Sequence, residues 1–421
     1  MADPMSLTTA PLDENLKGIL KDLITHGVTS YDKIIRRLGD DHGIKIGRSK
    51  LAEYLRCAGL QVRKAKLSEG EQHQAVLDEM ALDPLQRHGP RWHKESLLLK
   101  GVFISRDRIH RIMQQHAPDG FAQRHPRAKV QRINRVPLAA VGPDDEWSID
   151  GHDKMLQAGF AIYGIRDKWG GRRLQFSVVP SNRYAKVIGV LYLRCVKKQK
   201  VGIPVQITSD HGSETGEVFA YQKALRYVCK INDDSRSARF APELDERIVP
   251  SYRYTSSIRN ITIERNWRPF FYEWAVNILH FYNEGRFECF ISSSCNPIGQ
   301  IANWIWFPLI QRELDSWCER QNNHYVRTQK DKILPSGGTP EQFYRYPEDY
   351  GGTPCLIPIP EDVINEVLAE AEAEAANLLE YMDQEYQGLG QKAYVKLGEP
   401  AITLHTAWSV FEAMIKIIEA M

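Results

Sequence analysis

No stretch of this chain approaches the ~18 consecutive apolar residues that a membrane-crossing helix needs, so no membrane partner is expected. The opening MADPMSLTTAPLDENL is acidic and broken by prolines, unlike a secretory leader. Among the seven cysteines there is no C-x-x-C pair. Their scatter points to free thiols in a reducing compartment and against a cysteine zinc finger or disulfide framework. Also missing is a Gly-x-Ser-x-Gly elbow, which removes the hydrolase reading of Asp210-His211 with a nearby serine. A large net charge is lacking too, since the whole sums to only +2.

That small sum hides unlike parts. Residues 1–140 carry 24 Lys+Arg against 16 Asp+Glu, residues 141–345 carry 28 against 23, and residues 346–421 carry 3 against 14. Two basic segments followed by an acidic one suggest a polyanionic partner for the first two. Solvated surface charge is the competing explanation. At 421 residues with 43% hydrophobic content, two or three domains with real cores are expected.

The basic first segment contains a duplication. GIKIGRSKLAEYL (Gly43 to Leu55) aligns without a gap on GVFISRDRIHRIM (Gly101 to Met113), matching Ile46 with Ile104, Leu51 with Ile109, and Leu55 with Met113. Each copy follows an amphipathic stretch, so the pattern reads helix, glycine-containing turn, helix. Ser105 suits the N-cap of the second copy's helix, and Gly47 is a tolerable cap in the first. A helix-turn-helix pair would set Arg48, Ser49 and Lys50, and Arg106, Asp107 and Arg108, toward a DNA major groove. Two three-helix bundles that bind nothing, or bind protein, give the same pattern. RHPRAKVQRINR, which follows, reads as a basic linker along phosphates or a solvated tether.

Beyond residue 143 the period changes. EWSIDGHDK alternates like a strand, with Trp147 and Ile149 on one face and Ser148 and Asp150 on the other. Two β-rich runs then meet at Trp169-Gly170-Gly171, a hairpin signal. The helix YAKVIGVLYLRCVKKQ, the short strand VQITSDHGSE ending at Asp210, and the helix GEVFAYQKALRYVCK follow. This order predicts an α/β, ribonuclease-H-like core: a mixed five-stranded sheet with helices, preceded by all-α units and followed by a helical tail. In such a sheet Asp150 and Asp210 lie on adjacent strands, and Glu264 enters from a helix packed beside them. Three oxygen donors suit Mg²⁺ or Mn²⁺, and two ions would serve the attacking and leaving oxygens of an in-line displacement. For Glu264 alone a surface salt bridge is the rival explanation. Asp153 competes with Asp150 but falls on the opposite strand face. His152 and His211 are candidates for supporting contacts, and Lys154, Arg265 and Arg268 for substrate phosphates. The aromatics Trp267, Phe270, Phe271 and Trp274 read mostly as core, with Trp267 the one that could reach DNA.

From about Asp145 to Phe343 the chain resembles the catalytic core of retroviral-integrase-like DDE recombinases, and in particular the transposon-derived integrase-core proteins of eukaryotic genomes. WSIDGHDK resembles the first-Asp strand, TSDHGSET the second-Asp motif, and TIERNW the Glu helix. WCERQNNHYVR with GGTPEQF resembles the region that follows many such cores. His211 stands where Asn is usual, the Asp210–Glu264 gap is long, and no His-His-Cys-Cys domain precedes the core. The resemblance implies metal-dependent DNA cleavage and strand transfer by Asp150, Asp210 and Glu264, on double-stranded DNA, by a homo-oligomer, in the nucleus if the host is eukaryotic and otherwise inside the cell. Its rivals are a domesticated, catalytically silent DNA- or chromatin-binding protein, and a ribonuclease-H-type nuclease acting on RNA–DNA hybrids. The expected organisation is a helix-turn-helix-like unit at 1–66, another at 67–125, a basic linker at 126–143, the catalytic core at 144–345, and an acidic helical tail at 346–421.

Overall fold

The computed structural model describes residues 14–60, 67–120, 138–231, 245–255, 260–288 and 297–421, apart from positions 27, 29, 119 and 331. The basic stretch from Arg124 to Arg135 and the polar insert from Asn232 to Leu244 lie outside the described residues. The chain divides into two compact units, Met1–Ala128 and Lys129–Met421.

The first unit is helical: α1 (Glu14–Thr25), α2 (Tyr31–His42), α3 (Arg48–Cys57), α4 (Glu69–Ala81), α5 (Pro90–Leu99) and α6 (Arg106–His116). The aligned glycines do the same work in both halves. Gly43 has φ 66° and Gly101 φ 76°, a left-handed turn that side chains with a Cβ resist. The aligned apolar residues are buried as well: Leu51 and Leu55 pack with Leu20, Ile34 and Leu38, while Ile109 and Met113 pack with Val76, Leu97 and Ile104. Ser105 caps α6 by accepting from the Arg108 backbone N–H at 3.3 Å, and Gly47 is the uncapped start of α3.

The second unit is built on one sheet of order β3-β2-β1-β5-β6. Its strands are β1 (Glu146–His152), β2 (Ala161–Asp167), β3 (Arg173–Val179), β5 (Gln206–Ser209) and β6 (Tyr252–Tyr254). The first three form an antiparallel meander, and β5 and β6 add in parallel. This is the mixed five-stranded, ribonuclease-H-like arrangement. The turn between β2 and β3 uses Gly171 at φ 75°.

Both faces of the sheet are covered, so β1 is buried along nearly its whole length rather than on alternate residues. Trp147 and Ile149 pack under α7 (Ala185–Lys198) and α8 (Gly216–Ile231). Ile162 and Phe176 face α9 (Ile261–Phe270), α10 (Val276–Glu288) and α11 (Pro297–Asn322). Between α9 and α10 the turns widen to a π-helix at Phe271–Ala275, just after Pro269, which lacks a backbone donor. Then come α12 (Pro340–Arg345), α13 (Glu361–Leu379), α14 (Gln384–Lys396) and α15 (Ala407–Glu419). A two-stranded ribbon pairs β4 (Gly202–Ile203) with β7 (Ile357–Pro358). Thr339 and Gln342 form a capping box at the start of α12.

The acidic segment docks on the core. Ile364, Leu368, Ala371 and Ala375 of α13 join the apolar cluster under α7, and Lys186–Glu374 (2.9 Å) and Arg194–Glu372 (2.7 Å) bridge the same helices. Those exposed pairs contribute little, and the apolar seam contributes most. Leu368→Ala is therefore expected to destabilise the second unit by about 2–4 kcal/mol, read as a lower denaturant midpoint at unchanged slope.

Candidate active site

Asp150 is the fifth residue of β1, and Asp210 directly follows β5. The parallel register pairs Ser148 with Thr208, so continuing it two residues sets Asp210 beside Asp150. Glu264 sits in the first turn of α9. That helix is tied to the same strand by Asn260, whose Nδ2 donates to the Ile149 carbonyl at 3.1 Å. Three elements thus bring the three predicted acids to one end of the sheet.

The charges are close enough to feel one another. Burial raises the Asp150 carboxyl to about 7; a hydrogen bond from Trp267 opposes the rise, and the charges of Glu264 and Asp210 add to it. Glu264 is also raised, by burial first and by Asp210 second. The oxygens are not drawn into a closed set, however. Among the described residues, the trio of potential ligands with donor atoms all within 4.8 Å is Asp83, His88 and His93 in the first unit. Local hydrogen bonds hold the acids. Asp150 accepts from Trp267 Nε1 at 2.6 Å and from Gly151 N at 2.9 Å, and Asp210 accepts from Gly212 N at 3.2 Å. An all-oxygen set of like charges at a partly buried edge fits a hard divalent cation, the species that relieves such repulsion.

Trp267 corrects the idea that it reaches DNA: it is buried. It packs on Phe176, stacks on His152 at 4.7 Å, and aims its indole N–H at Asp150. Gly164, paired with Asp150 across the β1–β2 ladder, makes room for it. A Cβ there would stand 2.8 Å from the Phe176 ring and 3.1 Å from Trp267. His152 is buried against Trp267, and burial with the Lys154 charge holds its imidazole down at about 4. His211 is exposed and stacks on Tyr254 at 5.2 Å. Asp153 lies past the strand and accepts from Asn182 at 2.6 Å and from Arg183.

Cations gather around Arg265, the residue after Glu264. Arg265 lines a cavity with Arg166, Lys168, Arg173, His324 and Lys332. Burial lowers the Arg166 guanidinium to about 9, with Arg173 adding to the effect. Burial and the charges of Arg166 and Arg265 lower the Lys332 ammonium. Mutual repulsion of this kind favours an anion such as a backbone phosphate. Arg268 is exposed one turn beyond Glu264, and Lys154 lies over the Phe271 ring at 4.9 Å. In the first unit Arg48, Ser49, Lys50 and Arg106 are exposed at the starts of α3 and α6. Arg48 pairs with Asp32 at 3.7 Å and Lys50 with Glu53 at 3.0 Å, and Arg108 is bound to Glu69, at 2.9 Å through the side chain and 3.2 Å through the backbone carbonyl.

Sequence reasoning missed Asn260, Gly164, Lys332 and the hydrogen bond from Trp267 to Asp150. Trp267 follows Glu264 at helical spacing, which was the available signal; the others depend on elements meeting in space. Residues 138–346 match the family model of the integrase core domain. No curated protein gives a significant match to the chain.

Proposed function

The chain carries an integrase core domain over residues 138–346, and from that premise we propose a DNA-integrating enzyme whose Asp150, Asp210 and Glu264 bind Mg²⁺ or Mn²⁺. The reaction is cleavage of DNA ends by water, then attack of the freed hydroxyl on a second duplex. The observation that supports this most is the shared electrostatics of the three acids, with the Asp150 carboxyl at about 7. When bound, one or two divalent ions supply the positive charge that activates the attacking oxygen and stabilises the leaving one. Asp150 must be ionised to ligate, and Trp267 fixes the direction of its carboxylate. Arg265, Arg268 and Lys332 hold backbone phosphates beside the acids. With duplex DNA as substrate, the nucleus is the proposed compartment in a eukaryotic host, and a homo-oligomer joining two active sites the proposed assembly.

The alternative is a catalytically silent DNA-binding protein that keeps the fold. The open spacing of the three acids is the observation on its side. Incubation of labelled candidate terminal duplexes with Mn²⁺ separates the two readings: the wild type cleaves and Asp150→Asn does not. Equal cleavage by both, or none by either while binding persists, contradicts the enzymatic reading. An RNA–DNA hybrid in parallel tests the nuclease alternative, and preference for the hybrid would replace the DNA assignment.

The exposed helix starts of the first unit carry a separate expectation. Arg48→Glu combined with Arg106→Glu should weaken duplex binding by about tenfold or more, and flatten the salt dependence by about two phosphate contacts. Fluorescence anisotropy at several salt concentrations reads both. Unchanged affinity and slope would assign these helices to packing or protein contacts.

A further inference from the structure

We propose that Asp83, His88 and His93 form a structural zinc site that fastens the second helical unit of the N-terminal half. The three side chains come from the loop after α4 and the first turn of α5, and all are buried, at 3%, 3% and 1% exposure. Their donor atoms lie within 4.8 Å of one another. The loop is wound about the aspartate: Asp83 Oδ1 accepts from the Arg87 N–H at 2.9 Å and Oδ2 from the His88 N–H at 2.6 Å. These backbone bonds fix the direction of the carboxylate. His88 is locked in turn by stacking on Trp92, with ring centroids 3.5 Å apart and planes 7° from parallel. His93 is set by the first turn of α5, which begins at Pro90.

The donor chemistry selects the metal. Two imidazole nitrogens and one carboxylate oxygen suit Zn²⁺, whose tetrahedral shell leaves one position for water or the second carboxylate oxygen. An oxygen-seeking ion such as Mg²⁺ does not prefer imidazole. There is a structural use for such a staple. Among the described residues, the apolar cluster of this unit has six buried members, Val76, Leu97, Ile104, Ile109, Ile112 and Met113. Helical units of about 50 residues with so small a core are marginal unless cross-linked or metal-bound. Holding the α4–α5 loop also fixes α5, and through Gly101 the turn that presents α6.

The test uses the full chain, purified without chelator, loaded with zinc and freed of excess by gel filtration. Elemental analysis should find about one zinc per chain in the wild type and in Asp150→Asn/Glu264→Gln, and little in His93→Gln or Asp83→Asn. Cobalt substitution should give a visible ligand-field band in the first two proteins only. Chelation of the unmutated wild type should lower the melting of the first unit, and zinc should restore it, a readout that does not depend on any variant folding. Absence of stoichiometric zinc in the wild type, equal zinc in His93→Gln, or loss of zinc only in the Asp150/Glu264 double variant would overturn the assignment.

Discussion

In the presence of chelator at pH 8, Asp150→Asn melts higher than the wild type, and the advantage disappears as the pH is lowered toward 4. The Asp150 carboxyl stands at about 7 in the fold and near 3.9 in the unfolded chain. Between those values the folded state binds the extra proton, so wild-type stability falls as pH rises through the window and levels off above it. The amide never ionises and escapes that loss. Its gain above pH 7 is expected to be about 2 kcal/mol, part of the ~4 kcal/mol that the full displacement would give. The same substitution is expected to abolish the proposed DNA cleavage. A residue that destabilises its own fold while being required for turnover is the behaviour of a site built around missing positive charge. Thermal melts of both proteins at four or five pH values check the first half. A destabilised Asp150→Asn at pH 8 would mean that the carboxylate is a structural anchor.

Trp267→Phe is expected to lower cleavage by about 10- to 100-fold while leaving the fold nearly intact. Phenylalanine preserves packing against Phe176 and His152, but it cannot donate the 2.6 Å hydrogen bond to Asp150. Without that donor the carboxylate is harder to ionise, so the pH midpoint of metal-supported activity should move upward. A residue that only fills space would reduce activity equally at every pH. The pH–rate profile of Trp267→Phe beside wild type distinguishes the two. A midpoint at or below the wild-type value would remove the orienting role of the indole.

Much of the site could be read from local pattern, because its scaffold depends on local pattern. The run EWSIDGHDK makes Asp150 a strand residue by alternation alone, and Gly170-Gly171 forces the hairpin that builds the meander. The neighbouring strand ending at Asp210 follows from the order of strands and helices, and it pairs in parallel with β1. The two aligned glycines Gly43 and Gly101 marked the turns, and both take a positive φ. What stayed hidden depends on side chains meeting across elements. Nothing near Trp267 in the chain reveals that Gly164 clears its path to Asp150. The burial of Ser148, expected on a polar face, comes from the helices that cover the second face of the sheet. Asp83, His88 and His93 are spaced by five and five, which fits neither a helix face nor a strand face. Only the loop wound about Asp83 brings them together. The acidic α13 was readable as part of a helical tail, yet its seat on α7 depends on Ile364, Leu368, Ala371 and Ala375 meeting the apolar cluster under that helix.

The most direct test of the account is a Mn²⁺ titration, by calorimetry or electron paramagnetic resonance, on the wild type, Asp150→Asn, Asp210→Asn, Glu264→Gln and the pairwise doubles. If one cation is shared, each single amide should remove the same saturable binding, the doubles should lose no more than the singles, and binding should strengthen as pH rises through 7. Independent, additive losses, or binding that survives all three substitutions, would contradict it.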